Sequence, residues 1–168
     1  MLGAQMKTRL SNTTRDPRQR DIGITIRPLE RADASALAQL MGELGYPTRT
    51  SEMEMRLDAM HNEPRYRGFV AVSGEQVCGM VGTSCTHSYA HNNVLGIIIA
   101  LVVSQKMRGN HIGQALIEAA EADFIARNIR RVSVNARFER EDAHQFYEHL
   151  GYTKNGFRLV KELEGLAD

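Results

Sequence analysis

Apolar positions recur along this chain at two periods, and the switches between them set the order of elements. ITIRPLE, residues 24–30, alternates apolar and polar side chains and stops at proline, as a first strand does. In RADASALAQLMGELG the residues Leu37, Leu40, Met41 and Leu44 share one helical face, and Gly45 closes the helix. After the turn GYPT, TSEMEMRLDAMHN offers Thr50 or Ser51 as a cap and spaces Met53, Leu57 and Met60 helically, a stripe that reads as core. Residues 68–73, 76–86 and 94–103 are extended runs separated by Gly74 and by HSYAHNN, most simply an antiparallel meander.

A third helix runs from His111 to about Arg127, with Ile112, Leu116, Ala119, Ala120 and Phe124 at helical intervals, and RRVSVNA makes a further strand. EDAHQFYEHLG then places Ala143, Phe146, Tyr147 and Leu150 on one face, with Glu141 and Asp142 suited to the positive helix start and Gly151 to its end. The tail GYTKNGFRLVKEL predicts two short strands turning at Asn155-Gly156. The order β-α-α-β-β-β-α-β-α-β-β predicts an α+β (mixed α/β) fold. No internal repeat or low-complexity segment interrupts it.

Composition narrows the picture. With 168 residues and 42% hydrophobic content the chain can bury one substantial core, expected over residues 21–168. The first twenty residues carry five Lys/Arg against one Asp, lack a secretory apolar stretch, and read as a flexible basic tail. The formal charge of +1 gives no overall field for nucleic acid or an anionic membrane. The most apolar run, VLGIIIALVV from Val94 to Val103, has the length and β-branching of a strand and is too short to cross a bilayer. Cys78 and Cys85 fit a reducing cytoplasm as packing residues, and their odd spacing on one strand predicts that they face opposite ways.

Candidate chemistry centres on Arg108-Gly109-Asn110-His111-Ile112-Gly113, where a strand runs through a glycine turn into a helix. Free amides at a helix start attract anions, glycine admits close main-chain approach, and Arg108 adds a cation. The turn lacks the Gly-Lys-Ser/Thr ending of a P-loop and comes too late in the chain to open a dinucleotide-binding βαβ unit. His87 and His91 are joined by no Cys or carboxylate at metal-site spacing, so no metal is expected.

Asn135 follows at the end of the next strand, and AHQFYEHLGY completes a series: an Arg-Gly-x-x-Ile-Gly turn, an Asn, and a Phe-Tyr-x-x-x-Gly-Tyr run. In that order the chain resembles the GNAT superfamily of acyl-CoA-dependent N-acyltransferases, over residues 24–163 in element order and 94–153 in motif. The resemblance implies a central, mostly antiparallel twisted sheet of about seven strands flanked by four helices. It implies that main-chain groups of Leu101, Val102 and Val103 bond the pantetheine arm of acetyl-CoA. Amides of Arg108, Gly109, Asn110, His111, Ile112, Gly113 and Gln114 would hold its phosphates, and Asn135 and Ala143 would line the far side. His111 stands where the family usually has glycine.

By the same resemblance Tyr147 protonates the departing thiolate, and a phenol near pKa 10 remains a donor at neutral pH. A main-chain N–H at about Val102 or Val103 would stabilise the oxyanion. The strand GIIIALVV lacks the glutamate base of some relatives, leaving His87, His91 or a backbone-held water. Glu43, Tyr46, Glu52, Glu54 and Asp58 are candidates for drawing a cationic acceptor, against the alternative of a solvated charged face. The expectation is a cytoplasmic acetyl-CoA-dependent N-acetyltransferase of a small-molecule or peptide amine, with a homodimer allowed; the alternative is a non-catalytic acyl-CoA-binding sensor.

Overall fold

The computed structural model describes residues 23–90, 92–135, 141–156 and 158–163. The expected tail at 1–20 and His91 lie outside the described residues. Five strands, β1 (Ile24–Pro28), β2 (Tyr66–Ser73), β3 (Gln76–Thr86), β4 (Leu95–Val103) and β5 (Arg131–Val134), form one sheet in the order β1-β2-β3-β4-β5. The first four are an antiparallel meander, as predicted, and β5 joins β4 in parallel. Among the described residues four α-helices accompany them: α1 (Ala34–Leu44), α2 (Thr50–His61), α3 (Ile112–Ala126) and α4 (Glu141–His149).

Helices cover both faces. One core gathers Leu37, Leu40 and Met53 of α1 and α2 on Val70, Met80 and Val102. The other packs Ile112, Leu116, Ala120 and Phe124 of α3, together with Tyr147 of α4, on Ala71, Val81 and Ile98. A sheet buried on both faces has no need of polar alternation, which is why β4 reads as an unbroken apolar run. The buried carboxylate of Asp33, 6% exposed, ties the end of β1 to the approach to α1. It accepts hydrogen bonds from both terminal nitrogens of Arg27, at 2.9 and 2.7 Å, and from the Glu30 amide at 2.8 Å. Burial pushes this carboxyl up, but the Arg27 and Glu30 hydrogen bonds together with the Arg27 charge outweigh it and hold the pKa below its ordinary value.

Three expectations are corrected. Residues 152–156 and 158–163 form no strands: Leu159, Val160 and Leu163 are exposed, Leu159 at 93%, and the tail hairpin is absent from the described residues, leaving five strands rather than about seven. Turn chemistry at Asn155-Gly156 can propose a hairpin, but an isolated hairpin without a packed face is marginal. Cys78 and Cys85 share one face, both packing toward α3, because the β2–β3 register skips Cys78. That extra residue reverses the alternation beyond it. Helix α2 is entered through Arg49 rather than through Thr50 or Ser51, with the Arg49 amide donating to Glu52 Oε2 at 2.8 Å.

Candidate active site

The site begins with a fault in β4. Pairing with β3 places Gly82 opposite Ala100 and Thr83 opposite Ile98, so Ile99 is an extra, bulged residue. The bulge changes which way the strand aims: Ile98 packs toward α3, whereas Ala100 and Val102 pack toward α1 and α2. Pairing with β5 also stops here, at Ile98 opposite Val134, so from Ile99 to Val103 the strand has no β5 partner. The two parallel strands part, and main-chain groups that a sheet would use are left on the wall of an opening.

That opening is a cleft of about 140 Å³ lined by Leu44, Tyr46, Ile98, Ile99, Ala100, Leu101, Val134, Asn135, Ala143 and Tyr147. Leu101, Asn135, Ala143 and Tyr147, named from the sequence, therefore meet in one place. Val102 lies beneath, buried in the α1 core, and Val103 sits at the end of β4 beyond the lining. Tyr46, named for acceptor recognition, lines the cleft. Leu44, Ile98, Ile99, Ala100 and Val134 were not foreseen. In an apolar run no side-chain signal marks a bulge, and the end of α1 comes alongside only through tertiary packing.

Tyr147 is held by its neighbours. It is 9% exposed, packs edge-on against Phe146 at 5.2 Å and against Tyr152 at 5.5 Å, and burial pushes its phenol up to about 12. The Tyr152 hydroxyl donates to Glu121 Oε1 at 2.7 Å, which anchors the second ring to α3. The acid proton of Tyr147 is thus retained across the physiological range.

Past β4 the chain makes a short 3-10 turn, Gln105–Met107, and enters α3 through the glycine turn. Gly109 takes φ 79° and His111 takes φ 57°, both in the left-handed region. Glycine adopts that conformation freely; histidine pays a steric cost there, which explains the usual glycine at that point. Asn110 Nδ2 donates to the carbonyls of Met107 and Arg108, at 2.9 and 3.3 Å, and closes the turn from inside. The consecutive amides from Arg108 to Gln114 donate to no protein acceptor among the described residues, and the first helical bond runs from Ala115 to His111. Such a row at the positive end of a helix dipole is an anion-binding surface.

Gly113 has a different task from the one its sequence position suggested. A Cβ there would stand 3.3 Å from the Phe146 ring, so the missing side chain lets α4 pack closely against α3 beside Tyr147. Arg108 turns back toward the end of β4: its Nε donates to the Val103 carbonyl at 3.1 Å.

The acidic residues named from the sequence for acceptor recognition are already engaged. Glu52 pairs with Arg49, Glu54 and Asp58 with Arg31, and Glu43 accepts from the Gln105 amide. They form the solvated, paired face rather than a free acidic patch. His87 lies outside the cleft lining, which holds no carboxylate or imidazole among the described residues. His149 is exposed and His144 half-buried. No group of three metal-ligating side chains occurs among the described residues.

Comparison with known proteins connects this geometry to a family. The model of the acetyltransferase (GNAT) family matches residues 34–152, which takes in α1, the cleft, the glycine turn and Tyr147. An aminoalkylphosphonate N-acetyltransferase of Salmonella typhimurium is 32% identical over 101 residues, 60% of this chain and 66% of the relative. The match thus spans just under two thirds of that relative's length. Among solved structures, a GNAT family acetyltransferase of Staphylococcus aureus superposes with TM-score 0.72 at 22% identity, covering 83% of this chain and 98% of its own. An aminoglycoside N-acetyltransferase in complex with CoA reaches 0.75 at 14% identity, covering 84% and 95%. These structural likenesses establish the fold, and the family match spans most of the chain. A parted β4–β5 pair, an undonated amide row at the head of α3 and a buried tyrosine beside the cleft all fall inside the matched segment: the chain belongs to the acetyltransferase (GNAT) family.

Proposed function

We propose that the protein is an acetyl-CoA-dependent N-acetyltransferase that acetylates a primary amine by direct attack on the thioester. The observation that carries this reading is the combination of a β4 edge without a β5 partner, a row of amides without protein acceptors among the described residues, and one buried phenol that keeps its proton. The β4 edge from Ile99 to Val103 suits the amides of a pantetheine arm, the amide row from Arg108 to Gln114 suits a diphosphate, and Tyr147 lines the same cleft as Ile99, Ala100 and Leu101. Asn135 and Ala143 form the opposite wall.

In this reading acetyl-CoA is a substrate, and the protein's residues divide the work. Tyr46 and Leu44 bound the side from which the amine enters. The amine nitrogen bonds to the acyl carbon, a main-chain N–H of β4 donates to the developing oxyanion, and the carbon–sulfur bond breaks. Tyr147 gives its proton to the departing sulfur and is reprotonated from solvent. The proton lost from the amine leaves by the cleft mouth, through water held on backbone carbonyls, since the lining offers no side-chain base. Arg108 exchanges the Val103 carbonyl for a phosphate oxygen, a stronger charge-assisted contact.

The 32%-identical relative acts on an aminoalkylphosphonate, which makes small anionic amines the first acceptors to test beside aminoglycosides and peptide amines. A thiol-release assay over such a panel decides between turnover and mere acyl-CoA sensing. At least one amine is expected to release CoA, and Tyr147→Phe is expected to lower kcat by roughly 10²–10⁴-fold with cofactor affinity nearly intact. Binding of acetyl-CoA with no thiol released by any amine would instead identify a sensor.

A further inference from the structure

One contact joins the acceptor side of the molecule to the turn beyond β4. Glu43, in the last turn of α1, accepts the Gln105 amide at Oε2 at 2.7 Å and the Ser104 hydroxyl at Oε1 at 3.4 Å. The partners are 62 and 61 residues away in sequence, so the contact is tertiary. Gln105 is the first residue of the 3-10 turn that leads into Arg108 and the undonated amides. Glu43 is itself exposed, but its helix is anchored through the buried Leu37 and Leu40. A carboxylate on a fixed platform therefore grips the first amide of a segment whose amides from Arg108 to Gln114 have no protein acceptor among the described residues.

The sign of the charge makes this informative. A carboxylate near the mouth of an anion-binding turn repels a diphosphate, so electrostatics alone would favour its removal. Its favourable contribution must be geometric: it takes up the Gln105 amide and fixes the direction in which the following amides point. We propose that Glu43 is a positioning residue that braces the phosphate turn, raising affinity for the diphosphate portion of coenzyme A without touching the thioester chemistry. The proposal rests on the acetyltransferase reading above.

The test compares two thioesters and two variants. Acetylpantetheine keeps the acyl arm and lacks the diphosphate and nucleotide. Glu43→Ala is expected to raise KM for acetyl-CoA roughly tenfold, about the loss of one hydrogen bond, while KM for acetylpantetheine and kcat with either donor stay within about twofold. Glu43→Gln keeps an acceptor oxygen and removes the charge, so it is expected to restore the wild-type KM or to improve on it. Equal increases for both thioesters would show a general structural role and overturn the proposal, as would unchanged or tighter acetyl-CoA binding in Glu43→Ala. Failure of Glu43→Gln to restore KM would overturn it too. If the wild-type protein turns over neither thioester with any amine, both the function and the brace fall; if it turns over both and the variants match it, the brace alone falls.

Discussion

At the scale of single residues, Tyr147 and His111 carry the most specific expectations. Burial raises the Tyr147 phenol to about 12, so the phenol stays protonated as pH climbs through the range in which an amine loses its proton. Turnover should therefore rise with the acceptor's own ionisation and show no descending limb below pH 10; a fall centred near neutrality would remove Tyr147 as the acid. Linkage has the same sign: the unfolded phenol ionises near its ordinary value of 10.0, so this contribution to stability is lost as pH rises from there through about 12. His111 at φ 57° tests the turn. His111→Val should cost about 1–2 kcal/mol, because a β-branched side chain is strained there, and His111→Gly should cost nothing, both read from denaturant midpoints. Equal effects would mean the left-handed conformation is not held. That Tyr147 belongs to the cleft was legible from the Phe-Tyr-x-x-x-Gly-Tyr pattern; at His111 the sequence marked a departure from glycine but not the left-handed backbone. Gly113 was not: its closeness to Phe146 depends on how two helices meet.

At the scale of elements, sequence periodicity located the four α-helices and five strands of the described residues, because each apolar stripe has a covered face to match it, but not the 3-10 turn at Gln105–Met107. It missed the two extra residues in the strands. Cys78 and Ile99 sit within runs so apolar that either facing looks acceptable, and only the register against a neighbour shows the reversal. The fault at Ile99 coincides with the end of β5 pairing, so the irregular residue lies where the site opens. The junction of β1 and α1 depends on a different device, the buried Asp33–Arg27 pair. Its carboxyl is held below the ordinary aspartate range, so its stabilisation is present above pH 3.8 and is lost as pH falls through the folded value. Asp33→Ala leaves Arg27 without that partner and should lower stability by about 2–3 kcal/mol, discounted for the partial exposure of Arg27. A loss under about 0.5 kcal/mol by urea unfolding would mean that the pair contributes little.

At the scale of the whole molecule, a five-stranded sheet is covered on one face by α1 and α2 and on the other by α3 and α4, and the site opens where the fourth and fifth strands separate. Element order was legible in the sequence; the strand count was not, because turn residues at Asn155-Gly156 do not supply a surface for a hairpin to cover. No described helix is long and apolar enough to cross a membrane. The central claim is that main-chain groups released by this separation and gathered at the head of α3 bind an acylated coenzyme. Isothermal titration of the folded 168-residue chain with acetyl-CoA tests it most directly. A saturable heat with one coenzyme per chain, weakened by Gly109→Asp and competed by CoA, is the predicted result. Folded protein that gives neither heat nor a rise in Tm with acetyl-CoA or CoA would contradict it.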